Sequence, residues 1–134
     1  MSFSDSEVAY IRSQRLARIA TASPKTMQPD VAAIVYQFDG EYFYIGGLEQ
    51  EKTLKFLNSR ANPKVSLIID DLESIKPWLP RGIKIHGTVD IVERPSEFGS
   101  PLHLRLKPRV KWVWGIDEPT LQGRKAVIIK TVLA

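Results

Sequence analysis

Lys52 and Thr53 stand at the start of a short helical pattern that follows a Gly46-Gly47 corner. Helix starts favour acidic residues, because the unpaired N–H groups and the macrodipole are positive there. A lysine and a hydroxyl at such a place fit a bound phosphate, with the free N–H groups completing an anion cradle. Gly46 and Gly47 would let the backbone approach that ligand closely. The competing reading is a solvated surface with no ligand at all.

Other chemistry is sparse. His86 lies in the alternating run Gly82–Val89, and His103 opens a basic strand. Neither has a second histidine or a carboxylate at metal-ligand spacing, so both read as barrel-wall or surface residues. Heme ligation by one of them is the remaining metal reading. Asp70-Asp71 are adjacent carboxylates at a strand end, a place where such groups face water. The chain has no cysteine, which removes disulfides, thiolate nucleophiles and thiolate metal sites together. No acid–base pair or nucleophile stands out, so no catalytic side chain is assigned. If the protein is an enzyme, a cofactor carries the reactive group.

Arg105, Lys107, Arg109 and Lys111 recur at period two, and Leu104, Leu106, Val110, Trp112 and Trp114 take the opposite parity. On a strand this predicts one basic face and one apolar, aromatic face. Pro108 is expected to bend the run or to hold it at an edge. The basic face is either a solvated wall or a cationic groove for an extended anion. A single-strand nucleic-acid binder is the alternative from another functional class. It needs rings and cations on one surface, and the parity separates them.

The elements that position these residues are mostly strands. Ser4 and Glu7 have capping-box spacing, with Phe3 and Val8 as a hydrophobic staple. They predict a helix over about residues 5–14, with Val8 and Ile11 inward. Strands are expected over Leu16–Ser23, Asp30–Phe38 and Glu41–Gly47, the last two joined by the hairpin signal Asp39-Gly40. The short helix ends before Asn62-Pro63. Further strands follow at Lys64–Asp70, Gly82–Glu93, Leu102–Ile116 and Arg124–Leu133, with a Pro-rich loop over 71–81. A mainly β chain with two short helices and evenly spaced strands points to a closed or nearly closed antiparallel barrel.

The 134 residues read as one domain, 1–134, long enough for a hydrophobic core. The start, Met1–Tyr10, is acidic without an apolar core, and no run approaches a membrane span, so a cytoplasmic location is expected. The net charge of +4 is uneven: Lys and Arg number 4 against 7 acids in residues 1–51, 8 against 6 in 52–102, and 7 against 2 in 103–134. A C-terminal basic excess suggests an anionic partner.

The order of strand, hairpin, "EKTLKFLNSRANPKVSLIIDD" and "RGIKIHGTVDIVE" resembles the pyridoxamine-phosphate-oxidase-like flavoproteins. Within them, "LRLKPRVKWVWGIDEP" is similar to the small branch that uses the deazaflavin coenzyme F420. The resemblance covers about residues 10–120. It implies the FMN-binding split β-barrel, a homodimer, and a cofactor groove shared by both subunits. Lys52-Thr53 takes the place of the Arg-Lys pair that holds the FMN phosphate, and Gly46 and Gly47 lie beside it. Ala33, Ile34, Val35 and Tyr36 match the strand whose backbone runs along the isoalloxazine ring. Trp114 and Arg124, ten residues apart, match a tryptophan and an arginine that touch the flavin. Trp78 in the Pro-rich loop and Arg81 at the head of "RGIKIHG" are counted with them as cofactor-binding candidates. The oxidase's substrate-binding arginine-histidine motif is missing, so oxidation of pyridoxamine phosphate is not implied. The resemblance implies an F420-dependent oxidoreductase moving a hydride to or from a small organic substrate, with FMN as the alternative cofactor.

Overall fold

The computed structural model describes residues 2–133. Helix α1, Asp5–Ser13, starts where the capping signals place it. The Glu7 amide donates to Ser4 Oγ at 3.2 Å and the Ser4 amide to Glu7 Oε1 at 3.0 Å, so both halves of the capping box form. Phe3 and Ile11 are buried, and Val8 packs against the same core.

Seven strands make up the barrel wall: β1 (Ala17–Ala22), β2 (Pro29–Ile34), β3 (Gln37–Phe38), β4 (Phe43–Ile45), β5 (Lys64–Ser74), β6 (Leu79–Glu93) and β7 (Leu102–Trp114). They pair antiparallel in the order β2-β1-β5-β6-β7-β4-β3. The two ends of that series, β2 and β3, are consecutive in the chain and joined through Val35-Tyr36. The sheet therefore curls back on itself, as a split barrel does. Ile19, Leu67, Ile85, Leu106 and Phe43 fill the inside. The single strand expected over residues 30–38 breaks at Val35-Tyr36 because the chain changes partner there, from β1 to β4. Tyr36 fixes that corner by donating its hydroxyl to the Ile11 and Gln14 carbonyls at 2.6 and 3.1 Å.

The Pro-rich segment is more regular than expected. The β5–β6 ladder continues through Asp71↔Arg81 and Leu72↔Pro80, leaving only 75–78 as the turn. A two-pronged ion pair, Arg81 Nε and Nη2 to Asp71 at 2.8 and 3.0 Å, ties the ribbon across its strands. The closing segment is less regular. It divides into β8 (Leu121–Gln122) and β9 (Lys125–Ala126), which form a small separate hairpin, and β10 (Ile129–Val132), which pairs with β7.

Pro108 marks a bend in the run, as expected. It lies inside β7 with Gly87 as its one ladder partner, since pairing to β4 ends at Leu106 and pairing to β10 begins at Val110. Gly87 pairs with Pro108 but His86 pairs with Val110, so Arg109 is the extra residue of a β-bulge. A one-residue slip sends every later side chain to the other face. Before the bulge Leu104, Leu106 and Pro108 are buried, and after it Lys111 and Val113 are. The continuous basic face does not exist. Arg105 and Lys107 share the outer surface with Val110, Trp112 and Trp114, and Lys111 points inward to Glu7, Nζ to Oε1 2.5 Å.

Helix α2, Leu54–Ala61, plugs one end of the barrel. Thr53 is its N-cap: the hydroxyl accepts from the Phe56 amide at 3.3 Å and donates to the Gln50 carbonyl at 2.7 Å. Lys52 closes the 3-10 turn Gln50–Lys52 just before it, so the pair sits at the entry to the helix and not within its first turn.

Candidate cofactor and substrate cleft

A cleft of about 590 Å³ opens between the strand corner Val35–Gln37, the Gly46–Leu48 corner and the loop Pro95–Gly99. Both glycines lie at close approaches of side chains. A Cβ on Gly46 would stand 3.0 Å from His103 Nε2. The other ring nitrogen, Nδ1, lies 2.9 Å from the Pro101 carbonyl, which can only accept, so Nδ1 carries the proton of that bond. Nε2 is then the nitrogen turned toward the corner. Tyr44 forms another wall and is held from two sides. Arg94 lies over its ring at 3.7 Å, and its hydroxyl donates to Asp39 at 3.0 Å. Burial and that bond push the Tyr44 pKa up, in that order. Burial likewise pushes Tyr36 up, to about 12, so both phenols keep their protons near neutrality.

Beneath Gly47 two polar groups lack partners. A Cβ there would meet Gln50 Oε1 at 2.8 Å and Lys55 Nζ at 3.3 Å. Gln50 is fully buried: its Nε2 donates to the Ile45 carbonyl at 2.8 Å and its Oε1 accepts nothing. Lys55, 9% exposed, takes part in no ion pair among the described residues. Burial pushes its pKa down, because a desolvated ammonium without a counter-ion is costly. A buried cation at the first turn of a helix, facing a glycine corner, fits an anion from outside the chain.

A family model described as "Pyridoxamine 5'-phosphate oxidase" matches residues 3–132. The chain belongs to the pyridoxamine 5'-phosphate oxidase family. A reductase of Streptomyces rimosus, named for 5a,11a-dehydrotetracycline and 5a,11a-dehydrooxytetracycline, is 28% identical over 124 residues, 87% of this chain and 86% of its own. The structure of the conserved hypothetical protein Rv2991 from Mycobacterium tuberculosis superposes with a TM-score of 0.71 at 22% identity, over 93% of this chain and 92% of that one. A structure titled "F420 Reductase" superposes with a TM-score of 0.58 at 21% identity, over 72% and 88%. The two superpositions speak for the split-barrel fold of this family.

Within that fold, the residues marked from the sequence fall into three places. Val35, Tyr36, Gly46 and Gly47 meet at the cleft. Ala33 is exposed on β2 beside them, whereas the Ile34 side chain is buried in the core, leaving only its backbone for a ligand. Lys52 and Thr53 stand nearby, outside the lining. Lys52 has a side chain 76% exposed and pairs with Glu49 at 3.1 Å, and Thr53 serves as the helix cap. The remaining four lie elsewhere. Trp114 covers Gly82, where a Cβ would collide with the indole. Arg81 is bound to Asp71, Trp78 is half exposed at the tip of the β5–β6 hairpin, and Arg124 is exposed in the β8–β9 turn. The register puts Ile91 and Ile45 on either side of Leu104, while Gly82 faces Trp114. Nine residues of strand separate those two levels, roughly 30 Å along β6.

Lys55 is the residue that the sequence reading missed. Its signal was present: in "LKFLNSRA" it falls on the stripe with Phe56, Asn58 and Ser59, all buried. A lysine on the inward stripe of a helix asks for a partner. Among the described residues no group of three or more His, Asp or Glu is placed to hold a metal, and no helix is long and apolar enough to cross a membrane.

Proposed function

We infer that this chain is an oxidoreductase that binds F420 in a groove completed by a second copy of itself and moves a hydride between that cofactor and a small organic substrate. The observation that carries this reading is the corner of Gly47 and Lys55, where a buried lysine that makes no ion pair among the described residues faces the glycine. It fits a cofactor phosphate: Lys55 meets the charge, Lys52 adds a second, solvated cation at the entrance, and Thr53 holds the helix start in place. F420, when bound, supplies the hydride chemistry. The chain supplies orientation, through the Ala33–Tyr36 backbone and the glycine corner, and keeps water from the reacting face.

A deazaflavin is favoured over FMN by a second groove. It measures about 400 Å³ and includes Lys64, Ser66, His86, Thr88 and Arg109. Lys64 and Arg109 make no ion pair among the described residues, whereas Arg105 and Lys107 are both engaged by Asp90. An anionic poly-glutamate tail, which FMN lacks, suits that groove. The reductase relative is consistent with a conjugated organic substrate.

The same-face arrangement of Trp112 with cations removes one objection to single-strand nucleic-acid binding. Another takes its place. Lys84 and Lys130 flank Trp112 from the neighbouring strands, Nζ 4.3 and 5.6 Å from the ring, and His86 lies edge-on at 4.5 Å. Its ring is not free to stack on a base. The test is a fluorescence titration of purified protein with F420 and with FMN. Micromolar F420 binding that weakens as salt rises is expected. Tighter binding of FMN would replace F420 in this reading, and binding of neither would remove it.

A further inference from the structure

The cleft beside the glycine corner has a composition unlike the rest of the molecule. The chain carries a net charge of +4, yet no lysine or arginine lines this cleft. Its walls are Val35, Tyr36, Tyr44, Leu48 and Phe98, with His103 at the base and Glu97 as the one charged group. Phe98 is 82% exposed, although a phenyl ring is among the side chains that gain most from burial. The loop that carries it is strapped down on both sides. The Arg94 amide donates to the Pro101 carbonyl at 2.8 Å, and the Ser100 amide donates to the Gly47 carbonyl at 3.1 Å. The Ser100 hydroxyl donates to Glu51 at 2.5 Å. Gly99 lies so close to Gly47 that a Cβ would stand 2.6 Å from its carbonyl oxygen. A fixed loop thus holds an unburied aromatic ring over a cleft with His103 Nε2 at its base and Gln37, Ser96 and Glu97 as its other polar lining.

We propose that this cleft is the substrate subsite and that it takes a flat, conjugated, uncharged molecule bearing a hydroxyl group, with Phe98 against its face and His103 Nε2 accepting its hydrogen. The inference rests on the oxidoreductase reading above and adds the class of substrate to it. The nearest cations, Lys55 under Gly47 and Arg94 over the Tyr44 ring, are outside the lining, and an anion in the cleft meets Glu97. A flat ring finds aromatic walls that are already in position, so little ordering remains to be done on binding. The hydroxyl follows from the tautomer: with Nδ1 donating to the Pro101 carbonyl, an imidazole in its neutral form has only a lone pair to offer at Nε2.

Naphthol, its methyl ether and naphthoate separate these features, since they share one ring system and differ in donor and charge. Calorimetric titration should rank naphthol about tenfold above the ether, and naphthoate weakest, in the apo-protein and again with saturating F420. Phe98→Ala should weaken both uncharged probes about five- to tenfold without moving the thermal melt, because the side chain is exposed. His103→Leu should abolish the preference of naphthol over its ether while leaving the ether's affinity in place, and His103→Gln, which retains an acceptor, should restore part of it. Preference for naphthoate, no effect of Phe98→Ala, or no saturable binding of any probe would overturn the assignment. Displacement of F420 by naphthol would also overturn it, since the cleft would then hold the cofactor ring. Failure of F420 to bind, with the probe ranking intact, would fall on the cofactor reading alone.

Discussion

Lys55 and Lys52 are three residues apart and occupy opposite electrostatic situations. Lys52 is solvated and partly neutralised by Glu49, an exposed pair of the kind worth about 0–1 kcal/mol. Lys55 is buried and waits for a charge. Lys55→Met is therefore expected to raise the cofactor dissociation constant roughly ten- to a hundredfold, from loss of a charge-assisted bond of about 1.5–3 kcal/mol. Lys52→Ala should change it only slightly. The apo-protein should respond in the opposite sense. Burial lowers the Lys55 pKa, so between the folded value and the ordinary lysine value the unfolded chain binds more protons. The penalty of the buried charge is full below the folded pKa and fades as pH rises through it toward the ordinary value. Lys55→Met should then melt higher than the parent at neutral pH, with the gap closing in alkali. Paired melts and titrations of both variants check this. Unaltered cofactor binding in Lys55→Met would remove the anion site.

At the scale of elements, two ion pairs fasten neighbouring pieces of the fold. Glu7–Lys111 ties α1 to the barrel wall with side chains only 10% and 11% exposed. Lys111→Met leaves Glu7 buried without its cation and is expected to cost about 3–5 kcal/mol in denaturant unfolding. The double change Glu7→Gln/Lys111→Met should cost less than the single one, because no uncompensated charge stays inside. Equal costs would mean that Glu7 reaches water when its partner is lost. Asp71 holds the β5–β6 ribbon. Its bond from Arg81 is the main cause that keeps its carboxyl below the usual range, and Tyr10 contributes a further hydrogen bond at 2.9 Å. A depressed folded pKa gives stability that is present above the unfolded value of about 3.9 and lost as pH falls through the folded one. Asp71→Asn should flatten that acid limb of the stability curve, as read from urea melts across the acid range. An unchanged limb would show that the pair gives nothing to folding.

At the scale of the whole molecule, the roughly 30 Å of strand between the glycine corner and Trp114 bears on assembly. If Lys55 and the groups near Trp78 both touch one cofactor, they belong to different subunits. A stable homodimer is the expected species in sedimentation at micromolar concentration. Mixing is the sharper test. Lys55→Ala and Trp78→Ala proteins, each weak in binding alone, should regain about a quarter of the cofactor sites when unfolded and refolded together, since half the dimers are mixed and each carries one intact site. No recovery would place Trp78 outside the groove or leave the groove within one chain.

Local features were legible in the residues themselves. The capping box at Ser4 and Glu7, the Asp39-Gly40 hairpin, the end of α2 before Asn62-Pro63 and the alternation along Gly82–Glu93 all act over a few residues. Their physics is carried by neighbours in the chain, and so the mainly β split barrel could be read from them and from the family resemblance. Period-two counting failed at Pro108. A bulge is decided by the partner strand, and one added residue reversed the faces of Lys111, Trp112 and Trp114. The Pro-rich segment read as loop because prolines weaken a strand locally, yet Asp71 and Arg81 meet only across the ladder. Lys52 attracted notice because a helix start is visible in sequence, whereas a missing counter-ion is not. Whether a lysine is buried and alone depends on every element packed around it, and only the tertiary structure set Lys55 apart from the chain's other cations.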